Sequence, residues 1–279
     1  MTRYTRYIYN FNIKQNHKGE KHMIYNLKNF DPSIIMGKIQ NKMPFYNEYH
    51  FQFEFAIALK EVIDENDIEN LEIVFEAYYP TSKTTDKESN KRNYTDIVIY
   101  DKNNGDYIAL ELKYNLRDRS RNKNNRYYYN NGEYDVSVAK KGATDNCRYD
   151  FLYDIYRLEQ LRASGKYENT NIKSFVKGYS IIISNDEKIW KISCPNKANE
   201  LKGLLISKNN DQNFCIGDGS LTMQNCFWTG GKNCKNLSAI RKDFSLKKSY
   251  ECNWNKGFYF EDKKLIDKSP EFRYLIIEV

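Results

Sequence analysis

Three side chains in the middle of the chain have types and spacing suited to holding a hard cation: Asp96 in NYTDIVIY, and Glu111 with Lys113 in DYIALELKY. The two segments read as strands 93–100 and 106–114, joined by the turn-prone Asp101, Lys102, Asn103, Asn104 and Gly105. Side chains alternate along a strand, so Asp96, Val98 and Tyr100 share one face, and Tyr107, Ala109, Glu111 and Lys113 share one on the partner. The hairpin then sets an acid opposite an acid and a lysine. Glu111 and Lys113 are embedded in Ile108, Ala109, Leu110 and Leu112, where an unpaired charge is costly to desolvate. Two carboxylates about 4 Å apart repel by about 4 kcal/mol at an effective dielectric near 20, and a divalent cation turns that repulsion into binding. Ligands that are all oxygen favour magnesium. The bland alternative is a Glu-Lys pair projecting from a half-exposed strand. The acid on the facing strand argues against it.

These strands need elements to carry and cover them. Asn47 is a good N-cap, and Phe51, Phe55, Leu59 and Val62 recur with helical period, which predicts a helix to about Asp64. On its wheel Glu48 falls in the middle of the apolar stripe, so it needs a partner, and the acid pair on the sheet is a natural one. Gln52 lies one turn further on the same face, where it either orients an acid or a water or simply edges the core. Glu54 falls away from that face and reads as solvated. LEIVFEAYY, 71–79, reads as a strand ended by Pro80, with Glu76 a reserve ligand, and 81–92 as a polar loop. A second helix is predicted from Thr144 to Ser164, stopping before Gly165. Within it Asp150 and Asp154 read as members of a structural network satisfied by Arg148 or Arg157, with a phosphate contact by Arg157 as the functional alternative. A buried strand follows at Tyr179 to Ser184, then a turn at Asn185-Asp186, and the chain closes on a strand from Phe272 to Val279. Helix, three strands, helix, strand is an α/β order with a mixed central β-sheet flanked by helices. The expected organisation is an N-terminal extension 1–44, a core 45–186, and a β-rich C-terminal part 187–279 packing back on it.

Composition narrows the classes. The chain has 279 residues, 40% hydrophobic and 29% charged, enough to bury a large core without disulfide staples. Lys plus Arg number 44 against 37 Asp plus Glu, a formal charge of +7. Part of that excess lies at Arg117, Arg119, Arg121, Lys123 and Arg126, a segment without apolar periodicity that reads as an exposed loop, either solvated or touching phosphates. No apolar run approaches the roughly 20 residues a membrane span requires. The polar and aromatic N-terminus lacks a secretory h-region, so a cytoplasmic location is expected. Six cysteines without a C-x-x-C pair fit free thiols in a reducing compartment, and Cys215, Cys226, Cys234 and Cys252 are too irregularly spaced for structural zinc. His17, His22 and His50 form no zincin or serine-hydrolase motif, and Gly231-Lys232 is not a phosphate-binding P-loop.

Asp96 with Glu111-Leu112-Lys113 resembles the signature of the PD-(D/E)xK nuclease superfamily, the restriction-endonuclease-like fold. The likeness extends to a bacterial family within it through NEYHFQFEFA, YTDIVIY, ALELKY, RYDFLYDIYRLEQL, GYSIIISND and FRYLIIEV, over roughly Asn47 to Val279. Thr95 stands where the superfamily name has Pro, and Lys235 to Arg241 only loosely follows the family's basic pattern, so Arg241 enters as a nucleic-acid contact on a weak match. The resemblance implies an Mg²⁺-dependent endodeoxyribonuclease in restriction or phage defence. Asp96, Glu111, Glu48 and the backbone carbonyl of Leu112 would hold one or two Mg²⁺ ions, with Mn²⁺ as a substitute. Lys113 would position and help deprotonate a water, and Gln52 would support it. DNA is the implied partner, and a homodimer is the arrangement that could cut both strands. The competing readings are an RNA or structure-specific nuclease, and a non-catalytic binding protein of the same fold.

Overall fold

A computed structural model of the chain describes residues 27–40, 45, 47–79, 93–115, 126–128, 135–137, 144–164, 167, 169–191, 215–222, 224–226, 243–259 and 271–279. A 3₁₀ turn at Leu27–Asn29 leads into α1 (Pro32–Ile39), which Asp31 caps by accepting the Ser33 amide, with Pro32 in the first turn. Helix α2 (Glu48–Glu65) starts at Asn47, whose side chain accepts the His50 amide at 2.8 Å. Strands β1 (Leu71–Tyr79), β2 (Asn93–Asp101) and β3 (Asp106–Asn115) follow. Next come the short ribbon of β4 (Arg126–Tyr128) and β5 (Asp135–Ser137), then α3 (Thr144–Ser164), β6 (Ser174–Ser184) and α4 (Glu187–Trp190). The C-terminal part holds β7 (Ser220–Leu221), β8 (Asn225–Cys226), β9 (Phe244–Ser245), β10 (Glu251–Cys252), β11 (Asn255–Tyr259) and β12 (Glu271–Glu278).

Six strands form the central sheet in the order β1-β2-β3-β6-β12-β11. All neighbours are antiparallel except β3 and β6, which run parallel through the α3 crossover, so the sheet is mixed as expected. Both faces are covered. On one face α1 and α2 pack Ile35, Met36, Phe51, Phe55 and Leu59 against Ile97, Ile99, Leu110, Leu112, Ile181 and Ile183. On the other, α3, α4 and residues from the C-terminal part cover Val98, Tyr100, Ala109, Ile182, Leu275 and Ile277. Double-sided burial accounts for the nearly unbroken apolar runs of β2, β3 and β6. The β2–β3 turn depends on Gly105, whose φ is +80° and whose added Cβ would sit 2.5 Å from the Asn171 carbonyl.

Some elements differ from the sequence reading. Residues 27–40 lie inside what reads as an N-terminal extension, yet they supply buried core side chains. Strand β6 starts at Ser174 rather than Tyr179: its first residues, from Ser174 to Lys177, are exposed or only partly covered, but they pair with β3 from Asp106 onward. Glu54 is partly buried beside His50 Nε2 at 3.5 Å, so it is not simply solvated. Cys215 is disulfide-bonded, which departs from the expectation of free thiols, whereas Cys147, Cys226 and Cys252 are free. Asp186 acts through turn chemistry as expected, capping α4 by accepting the Lys188 amide. Among the described residues no helix is long and apolar enough to cross a membrane.

Candidate active site

The site lies where the hairpin opens. Pairing of β2 with β3 runs from Tyr100–Tyr107 to Ile97–Leu110 and ends there. Beyond that point β2 continues beside β1 as far as Asn93, while β3 continues beside β6 as far as Asn115. The two strands fork, and side chains take over the ladder. Asp96 Oδ2 accepts the Leu112 amide at 2.7 Å, and Glu48 Oε2 accepts the Tyr114 amide at 3.2 Å. Extending the register puts Asp96 opposite Glu111, on the sheet face of Val98 and Ala109. Helix α2 packs on the opposite face. Glu48 therefore reaches the site over the end of the fork from the first turn of its helix, not through the apolar face it centres on.

Helix α3 supplies two further charges. Arg157 sets its guanidinium against both oxygens of Glu111, Nη2 to Oε1 at 3.2 Å and Nη1 to Oε2 at 3.5 Å. The same Nη1 meets Asp154 Oδ1 at 3.2 Å. Arg157 is anchored besides by the Tyr79 hydroxyl at 3.2 Å and the Tyr94 carbonyl. Lys113 Nζ bridges Asp154 Oδ2 at 3.2 Å and Glu48 Oε1 at 3.7 Å. Glu111 and Asp154 are 1% and 3% exposed, and Glu111 Oε1 and Asp154 Oδ2 are buried without a hydrogen bond, only ion-pair contacts. Arg157 does satisfy Asp154, as the sequence suggests, and Arg148 donates to the Lys188 carbonyl.

Four carboxylates thus surround two cations, and the imbalance moves their proton affinities. Burial pushes the Asp96 carboxyl up to about 6; the Lys113 ammonium and the Leu112 amide oppose this, and Asp154 and Glu48 add to it. Burial also holds Glu111 well above the usual carboxylate range, against Arg157 and with Asp96 and Asp154. For Lys113 burial favours the neutral amine, yet Asp154, Glu48, Asp96 and Glu111 together outweigh it and raise its pKa well above the ordinary value. These acidic neighbours favour the charged ammonium form of Lys113.

The donor set fits a hard divalent cation in chemistry and charge, being all carboxylate oxygen with negative charge in excess. Asp96, Glu111 and Glu48 are the side chains that could hold one. The Leu112 carbonyl shares the fork edge of β3 with its own amide by strand geometry. Their present aim is different. Among the described residues no three Asp, Glu, His or Cys side chains converge as a ready-made metal site, because Arg157 and Lys113 draw the carboxylates toward themselves.

No family model, curated protein or solved structure matches this chain.

Of the remaining residues singled out from sequence, Gln52 is buried one turn along α2, outside the ion-pair network. Glu76 is exposed, at a left-handed position (φ 45°) that the β1–β2 ladder skips opposite Asp96. Thr95, where the superfamily signature has Pro, is buried and bonded to the Tyr167 hydroxyl at 2.8 Å. Arg126 begins β4, while Arg117, Arg119, Arg121, Lys123, Cys234 and Arg241 lie outside the described residues. Asp154 and Arg157 are the site residues that sequence reasoning kept apart from the acid pair. The available signal was a charged i, i+3 pair set among Ile155, Leu158 and Leu161.

Proposed function

We propose that the chain is an Mg²⁺-dependent endodeoxyribonuclease on a restriction-endonuclease-like scaffold. The observation that carries this reading is the fork, where an acid from each of two parting strands and one from the first turn of a helix lie close to a partly buried lysine and an arginine. Asp96, Glu111 and Glu48 are the side chains that would hold the metal. When bound, a divalent cation neutralises phosphate charge and makes water more acidic. Lys113, kept as an ammonium by its acidic neighbours, sits ready to stabilise the charge that builds on the phosphate oxygens as water adds and the 3′ oxygen leaves. Asp154 and Glu48 hold that ammonium in place. Preorganisation by fixed ion pairs in a buried setting is what such stabilisation requires.

The experiment is nicking of supercoiled plasmid by wild type and Glu111→Ala, with Mg²⁺ and with EDTA. Cleavage by wild type alone, and only with Mg²⁺, is the expected result. Cleavage by both proteins overturns the mechanism, and cleavage by neither favours a binding protein of the same fold. Single-stranded, duplex and RNA substrates in the same assay separate DNA from RNA or structure-specific cleavage.

A further inference from the structure

The cations of the site are not evenly placed. Lys113 contacts Glu48 and Asp154, while Arg157 alone covers Glu111 with both terminal nitrogens. Glu111 is the most deeply buried of the proposed ligand side chains and, among the described residues, is faced by no other cation within ion-pair distance. The remaining holds on Arg157, at the Tyr79 hydroxyl, the Tyr94 carbonyl and Asp154, do not depend on Glu111. A guanidinium so held can give up one carboxylate without becoming a bare buried charge. A metal ion that takes Glu111 must share it with Arg157 or displace it.

We propose that Arg157 is the built-in counter-ion of Glu111, competing with the divalent metal for that carboxylate, so that metal entry and the Arg157–Glu111 pair exclude one another. This inference rests on the metal-dependent reading above and adds a device to it. In the metal-free protein the arginine keeps a buried acid compensated. On loading it stays anchored on β1, β2 and Asp154 while Glu111 turns to the ion. Arg157 is thus a positioning residue whose loss tightens metal binding. A residue that merely oriented Glu111 toward the metal would, when lost, weaken it.

The test is Mg²⁺ binding measured calorimetrically at pH 8 without DNA, on wild type, Arg157→Gln, Arg157→Lys and Glu111→Gln. The expected result is tightening by about tenfold or more in Arg157→Gln, the scale of one charge-assisted hydrogen bond no longer surrendered on loading, and less in Arg157→Lys. Arg157→Gln is also expected to melt lower in EDTA and to regain more than wild type on adding Mg²⁺. Should that variant not fold, the wild-type side-chain ¹⁵N resonance of Arg157, assigned by its loss in Arg157→Lys, gives the answer, because Mg²⁺ is expected to shift it. Unchanged or weaker Mg²⁺ affinity in Arg157→Gln, or an Arg157 resonance indifferent to saturating Mg²⁺, overturns the competition and leaves the nuclease reading standing. Wild type that binds Mg²⁺ no better than Glu111→Gln overturns the metal site itself, and this inference with it.

Discussion

Replacing Asp96 by Asn is expected to stabilise the metal-free protein. The folded carboxyl has its pKa pushed up to about 6 from an ordinary 3.8, chiefly by burial, so the native state binds this proton more tightly than the unfolded chain does. Above pH 6 the native protein therefore carries an ionised acid in a site that disfavours it, and the cost is fully present. Between about 6 and 3.8 the native state takes up the proton first and the cost fades, and below that range it is gone. The roughly two-unit difference corresponds to a ceiling of about 3 kcal/mol, and partial solvent contact brings the working figure to about half of that. Asn keeps an oxygen to accept the Leu112 amide, so the backbone contact survives. In EDTA at pH 8 the melting temperature should rise by several degrees, at about 2 °C per kcal/mol for a chain of this size. The gain should shrink to about half at pH 5, where the wild-type acid is mostly protonated in the native state. Mg²⁺ should then stabilise wild type more than the variant. A melt in which Asp96→Asn is no more stable than wild type at pH 8, or gains equally at both pH values, refutes the reasoning.

Other outcomes follow from the same geometry. Lys113→Met should lower plasmid nicking by about a hundredfold or more, the scale seen on loss of one preorganised charge-stabilising donor, while leaving Mg²⁺ binding intact or tighter; nicking rates and calorimetry on one preparation check both parts. Glu159 is buried and accepts the Lys247 amide at 2.8 Å and the Tyr250 hydroxyl at 2.8 Å, tying α3 to the C-terminal part. Glu159→Ala strands those donors and should cost about 2–4 kcal/mol in urea unfolding, leaving Mg²⁺ affinity in the folded protein unchanged.

What the sequence made legible follows from local rules. The hairpin was readable because the Asp101–Gly105 turn and period-2 alternation are short-range features, and Gly105 does adopt the left-handed backbone such a turn uses. Both long helices were readable from apolar period, and α2 also from the Asn47 cap. The same alternation put Asp96, Glu111 and Lys113 on one face. The fork was not readable, because it depends on β1 and β6 holding β2 and β3 apart beyond Ile97 and Leu110, pairings distant in sequence. The part played by Asp154 was hidden for a related reason. A helical wheel shows that it faces inward, but only the packing of α3 over β3 shows that it meets Lys113. The protonation state of Lys113 needed all four acids in place at once.

The fork also explains why these acids cannot be treated as chelating groups alone. A sheet covered on both faces must pair nearly every backbone amide, and parting two strands would strand those of Leu112 and Tyr114. Asp96 and Glu48 supply the missing acceptors, so the residues proposed to hold the ion also keep the sheet open without orphaned donors. Deleting either side chain would combine loss of a ligand with a buried amide left unpaired, at about 1–3 kcal/mol, and an inactive Ala variant could not tell the two apart. Amide-for-acid replacement removes the charge and keeps the acceptor. Asp96→Asn and Glu48→Gln therefore separate the electrostatic role from the architectural one, and Ala at the same positions measures their sum.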